Sequence, residues 1–208
     1  AYMDSIPLVV ISGQVASHLI GTDAFQETDM IGISRPIVKH SFLVQSAEEI
    51  PAIVKKAFHI ASSGRPGPVV IDVPKDMTDP AIKFEYKFPK DLYLRSYPIL
   101  GEADSLQVSE AVKLLKAANK PVIYAGGGVI QSDASEELVS LSKMTGAPVT
   151  NTLMGLGAYP ATDDQFIGML GMHGTYEANM VMSEADLIFN VAARFDDRIT
   201  NNPKKFGL

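Results

Sequence analysis

The feature that most constrains this chain is one theme used again and again: a stretch of helical spacing, a short turn, then a proline-led run of β-branched residues. In residues 46–63, Ile50, Ile53, Val54, Ala57, Phe58 and Ala61 fall on one helical face. Ser46 and Glu49 have capping-box spacing ahead of Pro51. Gly64-Arg65-Pro66-Gly67 ends that helix, and Pro68-Val69-Val70-Ile71-Asp72-Val73 reads as a buried strand. A second unit places Val108, Ala111, Val112 and Leu115 on one face of 106–119, followed by the strand 121–125. A third has Asp133 and Glu136 as its cap, Leu138 and Leu141 facing inward, Gly146 as its stop and 148–152 as its strand. A fourth helix over 175–183 leads into the strand 187–191, and an apolar run at Ile6–Ile11 supplies an opening strand. Helices alternating with continuously apolar strands predict an α/β fold with parallel sheets flanked by helices.

The rhythm lapses between Asp79 and Asp104, where Pro80, Pro89 and Pro98 interrupt aromatics and lysines that follow no period. A connector of that length predicts a domain boundary: a first domain over 1–79, a linker over 80–103 and a second domain over 104–208. The chain opens without signal-peptide architecture or an initiator Met and stops fifteen residues past Ala193, so it reads as a fragment. A net charge of −6 with no basic cluster argues against nucleic acid or an anionic membrane as partner. No apolar run is long enough to span a bilayer. The absence of cysteine rules out disulfides and thiolate chemistry and fits a reducing cytosol.

The residues suited to chemistry cluster after strands. Gly126-Gly127-Gly128 sits between a strand and a helix, where bare backbone admits a phosphate or flavin, although a tight turn needs the same residues. Gly168, Gly171 and Gly174 repeat by three around Met172-His173 and suggest a flat ligand lying on backbone. His173 lacks His or Cys companions at metal-ligand spacing, so no metal site is expected. Arg194 and Arg198 in Arg194-Phe195-Asp196-Asp197-Arg198 follow a strand, where cations hold phosphate or carboxylate, or else form a self-compensating loop. Arg65 and Lys75 flank another strand. Gln14, Phe25 and Gln26 lie after the first strand as a candidate pocket wall, while Asp23 equally suits a helix cap. From the residues alone, this is a two-domain α/β protein with a phosphate-bearing ligand.

Taken together, AYMDSIPLVVISGQV (1–15), IGTDAFQETD (20–29), GRPGPVVIDVPKD (64–76), AGGG (125–128), LMGLGAYP (153–160), MLGMHGTYEAN (169–179) and ARFDDR (193–198) resemble acetohydroxyacid (acetolactate) synthase catalytic subunits. The resemblance covers essentially the whole chain. It implies the second half of a thiamine-diphosphate pyrimidine-binding domain up to about residue 79, then a truncated, Rossmann-like central domain associated with FAD. Such enzymes condense two pyruvates, or pyruvate and 2-oxobutyrate, with loss of CO2 in branched-chain amino-acid synthesis. The resemblance implies thiamine diphosphate, Mg2+ and FAD as cofactors, with the diphosphate and metal site outside this chain. It also implies a homodimer or tetramer, a small regulatory subunit and a cytoplasmic location. Gln26 and Phe25 would lie beside the thiazolium, Lys75 at the substrate channel, and Arg198 at the acceptor's carboxylate. Arg65, Gly126, Gly127, Gly128, Thr152, Leu153, Met154, Met172, His173, Gly174, Ala192, Ala193 and Arg194 would contact FAD. After Gly13-Gln14-Val15 this chain has Ala16-Ser17-His18, where plant and fungal members have proline and basic residues, which points to a bacterial type. Three alternatives share the cofactor: glyoxylate carboligase, pyruvate oxidase and catabolic acetolactate synthase. A non-catalytic flavin- or nucleotide-binding module is a fourth, from a different class.

Overall fold

A computed structural model describes residues 1–98 and 101–200, together with 202, 204 and 206. The remaining residues of the expected second domain (201, 203, 205, 207 and 208) lie outside the described residues. The chain divides into two compact units, 1–101 and 102–208.

In the first unit, β1 (Leu8–Gln14), β2 (His40–Leu43) and β3 (Pro68–Pro74) form a parallel sheet in the order β1-β3-β2. β3 lies in the middle, and all of its residues but Val73 are buried, as expected of a strand covered on both faces. α1 (Met30–Ser34) and α2 (Ile50–Ser62) belong to this unit. Ile53, Ala57, Ile60 and Ala61 of α2 pack on Val69 and Ile71, with Val9 and Phe42 beside them. Phe58, placed on the apolar face by spacing, is 63% exposed because it falls off the 53-57-60-61 stripe. α2 takes no side-chain cap from Ser46; the short 3-10 turn Ala47–Glu49 leads in, and Pro51 occupies the first turn, where its missing N–H costs nothing.

Residues 79–98 hold no helix or strand and run along α2. Lys55 Nζ donates to the carbonyls of Pro89 and Lys90, both at 2.6 Å, and sits over the Phe88 ring. One turn on, His59 Nε2 meets the Tyr97 carbonyl at 3.1 Å. The Tyr97 hydroxyl donates to the Lys39 carbonyl at 3.0 Å.

The second unit has a four-stranded parallel sheet of β4 (Pro121–Ala125), β5 (Val149–Asn151), β6 (Phe166–Met169) and β7 (Leu187–Val191), in the order β6-β5-β4-β7. The two-residue period of β4 feeds two cores. Ile123 and Ala125 pack with Val129, Leu138 and Tyr159, while Val122 and Tyr124 pack with Leu170 and Met182 on the other face. Its helices are α3 (Ser105–Ala117), α4 (Gly127–Gln131), α5 (Ser135–Thr145), α6 (Tyr176–Glu184) and α7 (Asp197–Thr200). Of the face expected on α3 only Leu115 is buried; Val108 is 48% and Val112 42% exposed. Asp133 does not cap α5. It takes a left-handed conformation (φ 54°) in the turn that closes α4, where the Asp133 and Ala134 N–H groups reach the Ile130 and Val129 carbonyls. Gly146 ends α5 at φ 71°, and Thr175 caps α6 by accepting from the Ala178 N–H. Asp104 caps α3, accepting from the Leu106 and Gln107 N–H groups at 2.8 and 3.2 Å. Asp104→Ala is expected to cost about 1 kcal/mol, read as a lowered urea midpoint for the second unit.

β2, β6 and α1 have no counterpart in the sequence reading. His40–Leu43 is short and polar at its start, and Gly168 at φ 92° interrupts β6. Among the described residues, no helix is long and apolar enough to cross a membrane.

Candidate functional site

Apart from Arg65, which precedes β3, the candidate residues of each unit lie toward the carboxyl ends of the strands, where an open parallel sheet leaves a crevice. In the first unit β1 ends at Gln14, paired in register with Pro74, and Lys75 follows directly. Lys75 is exposed, and Asp76 beside it accepts from the Ser17 backbone N–H at 2.8 Å and from its hydroxyl. Those bonds hold the Asp76 carboxyl below its ordinary range. Phe25 is 91% exposed on the loop beyond β1, and Gln26 adopts φ 67°. Glu27 clamps that loop by accepting from the Gly21 N–H and, at 3.1 Å, the Ala24 N–H, which keeps its carboxyl ionised to lower pH. Asp23 caps nothing: it has φ 58°, and Asp29 caps α1 through the Gly32 N–H at 2.8 Å. Arg65 is engaged elsewhere, donating to the Ser5 hydroxyl at 2.8 Å and the Met3 carbonyl at 3.0 Å.

In the second unit three loops close on one another beyond β4, β5 and β7. The Gly126 N–H donates to Val191 O at 2.9 Å, and the Thr152 N–H to Ala125 O at 2.9 Å. A Cβ on Gly126 would lie 2.2 Å from the Ala192 carbonyl oxygen, and one on Gly127 2.9 Å from that of Met154. Gly128 packs on the Ala192 side chain. The glycines are therefore demanded by loop-on-loop contact, the tight-turn reading, and α4 behind them is only five residues long. Thr152 Oγ1 accepts from the Gly155 N–H at 2.9 Å, turning Leu153 (69% exposed) and Met154 outward.

Met172 and Arg198 also meet. The Met172 N–H donates to the Arg198 carbonyl at 2.9 Å, and Arg198 Nη1 lies 3.7 Å from Met172 Sδ. Gly171 and Gly174 are needed for this turn, since added Cβ atoms would meet Arg198 O at 2.8 Å and Met169 O at 2.2 Å. His173 is exposed at its tip. Arg194 faces Asp196 at 3.5 Å and Arg198 faces Asp197 at 3.6 Å, so the charge compensation suggested by the sequence is present. Burial, then the Asp196 carboxylate, push the Tyr124 phenol up; its hydroxyl is 3.4 Å from the Arg194 carbonyl. A cleft of about 760 Å3 opens at the opposite, amino end of this sheet between Val112, Leu141, Met144 and Val181, and none of the expected site residues line it. Among the described residues, no three His, Asp or Glu side chains are grouped to hold a metal ion.

The acetolactate synthase large subunit of Haemophilus influenzae is 57% identical over 99% of this chain, and that of Buchnera aphidicola from Acyrthosiphon pisum is 61% identical over the same share. Across nearly its whole length the chain is similar to acetolactate synthase large subunits. The isozyme 3 large subunit of Escherichia coli is 58% identical, again over 99% of the chain. Residues 108–207 match the family described as thiamine pyrophosphate enzyme, central domain. The chain spans about a third (36%) of the length of these curated relatives. Beside the expected residues stand two that the sequence reading missed: Glu27, whose partners Gly21 and Ala24 lie within six positions, and Asp72, a polar residue inside a strand whose partner Gln14 is 58 positions away.

Proposed function

We propose that these residues are part of an acetolactate synthase catalytic subunit, which condenses two 2-oxo acids with release of CO2 for branched-chain amino-acid synthesis. The carrying observation is identity of 57–61% to large subunits across 99% of the chain. Thiamine diphosphate supplies the carbanion chemistry when bound, with Mg2+ and the diphosphate held outside this chain. The protein's part here is positional. The first unit would be the later half of the pyrimidine-binding domain and the second the FAD-associated central domain, joined through 80–103. Phe25 offers an apolar wall and Gln26 an amide beside the ring. Lys75 lines the approach of substrate, and Arg198 recognises the acceptor's carboxylate.

FAD fits the second site on chemical grounds. Exposed Leu153 and Met154 offer an apolar face, Met172 and His173 a second edge, and Arg194 a guanidinium, half-exposed, for phosphate. Gly126, Gly127 and Gly128 let the loops carrying Met154 and Ala192 close on one another, and Met172 meets Arg198 beside them, which supports this reading. The relatives are named large subunits, which supports a small regulatory partner beside the catalytic homodimer or tetramer. A cytoplasmic location accords with this biosynthetic role.

The test is to isolate the complete polypeptide carrying these residues, record the flavin spectrum of its extract and assay acetolactate from pyruvate. Flavin together with thiamine-diphosphate-dependent acetolactate is the expected result. Activity without flavin would favour the catabolic enzyme, and glyoxylate as the preferred substrate would favour the carboligase. Within this reading, Arg198→Ala removes a charge-assisted hydrogen bond of roughly 1.5–3 kcal/mol, so kcat/KM for pyruvate should fall about ten- to a hundredfold. Unchanged kinetics would make Arg198 a surface charge.

A further inference from the structure

Asp72 sits on β3, is 1% exposed, and has one oxygen, Oδ1, that no donor reaches. Its other oxygen accepts from Gln14 Nε2 at 3.1 Å, and the second proton of that amide goes to the Thr28 carbonyl at 2.6 Å. Gln14 Oε1 accepts from the Val15 N–H at 2.8 Å, which fixes the orientation of the amide, since only the oxygen can meet a backbone N–H. Thr28 lies two residues beyond Gln26, at the foot of the loop whose upper part Glu27 clamps. A strand residue, a glutamine and a loop carbonyl thus form one continuous link from the sheet interior to the loop that carries Phe25 and Gln26.

We propose that Asp72 is a positioning residue, acting through Gln14 to hold the loop 21–29 in place from beneath. Its carboxyl resists ionisation, because a carboxylate with an orphaned buried oxygen is poorly solvated there. β1 faces it with Ser12 and Gln14 and β2 pairs it with Leu43, none of them titratable. The acidic neighbour is Asp29, at the cap of α1. Burial first, and Asp29 with it, raise the Asp72 carboxyl above its ordinary range against the pull of Gln14 and Ser12. The sign follows. A carboxyl raised on folding favours the closed arrangement fully at low pH, and that advantage is lost as pH rises through the raised value. The consequence for catalysis rests on the proposed function, since it treats Phe25 and Gln26 as walls of the cofactor site; the link itself does not.

The experiment uses the 208-residue chain, with 13C-labelled Asp carboxyl groups for titration and amide hydrogen exchange read over 21–32. In the parent chain the Asp72 carboxyl should titrate above the surface carboxylates. Protection of the Gly21, Ala24 and Gly32 amides should fall across the same pH interval, as linkage to a raised carboxyl requires. Asp72→Asn, neutral at every pH and still able to accept from Gln14, should keep the protection and abolish the pH step. Gln14→Leu should lose protection of these amides at all pH while the β3 amides stay protected. Asp72 titrating with the surface acids, a pH step that survives in Asp72→Asn, or a loss spread evenly over β1–β3 would overturn the proposal. Because nothing here reads acetolactate, a failure of the enzymatic assignment would leave this result standing, and the reverse.

Discussion

Gly126→Ala is expected to destabilise the second unit by about 3 kcal/mol or more, an effect at the top of the usual range for one added methyl group. The new Cβ would lie 2.2 Å from the Ala192 carbonyl oxygen, 2.5 Å from Ala193 Cα and 2.8 Å from the Ala192 carbonyl carbon. All three are backbone atoms, so no rotamer change relieves the clash; the loop after β7 must move and give up the bond from the Gly126 N–H to Val191 O. Urea unfolding followed by far-ultraviolet circular dichroism measures the loss. Gly157→Ala is the control: it has φ 99° but open space around the added atom, so only backbone strain of roughly 1 kcal/mol is expected. Equal effects in the two variants would mean that the loops are not in contact as described.

In the first unit, Ile71→Ala should cost about 2–5 kcal/mol, because Ile71 is 1% exposed at the centre of the sheet against α2. Its register partner on β1 is Ile11, the same residue type, yet 67% exposed. Ile11→Ala should change stability by less than about 0.5 kcal/mol, so the pair isolates burial from residue identity and strand position. Chemical denaturation with a probe in the first unit distinguishes the outcomes. Comparable losses from both variants would mean that β1 is covered in solution.

What was legible in the sequence was whatever is local. Pro121–Ala125 and Leu187–Val191 are continuous apolar runs bounded by turn residues, and they stand as strands with those bounds. Gly146 acts as the expected stop because its role needs only the neighbouring turn. Asp133 failed as a cap for the opposite reason: the five-residue α4 just before it, invisible to periodicity, needed a left-handed closing residue. α3 shows the same limit in another form, since Val108 and Val112 keep helical spacing yet stay 48% and 42% exposed. At the candidate sites, the spacing of Gly126–Gly128 and Gly171–Gly174 marked the right turns but not the cause. The space at Gly126, Gly127, Gly128 and Gly171 is filled by Ala192, Met154 and Arg198 from other loops, a relation that no spacing along the chain encodes, and only the contact of Gly174 with Met169 is local. The Asp72–Gln14 link spans 58 positions and reads in sequence as nothing more than an acid inside a strand.

The segment 79–98 is held to α2 chiefly through its own carbonyl groups at Pro89, Lys90 and Tyr97. Every amino acid offers that same acceptor, so the side chains at 89 and 90 are free to drift without breaking the bonds. At positions 89 and 90 the information that docks the strap is written on the helix, in Lys55, while Phe88, Leu94 and Tyr97 are the strap's own anchors. Two variants separate the cases: shuffling residues 89–91 should leave the docking intact, whereas Lys55→Met should release it at unchanged strap sequence. A variable-looking stretch can thus keep a fixed path, and its divergence among homologous chains would say little about how firmly it is placed.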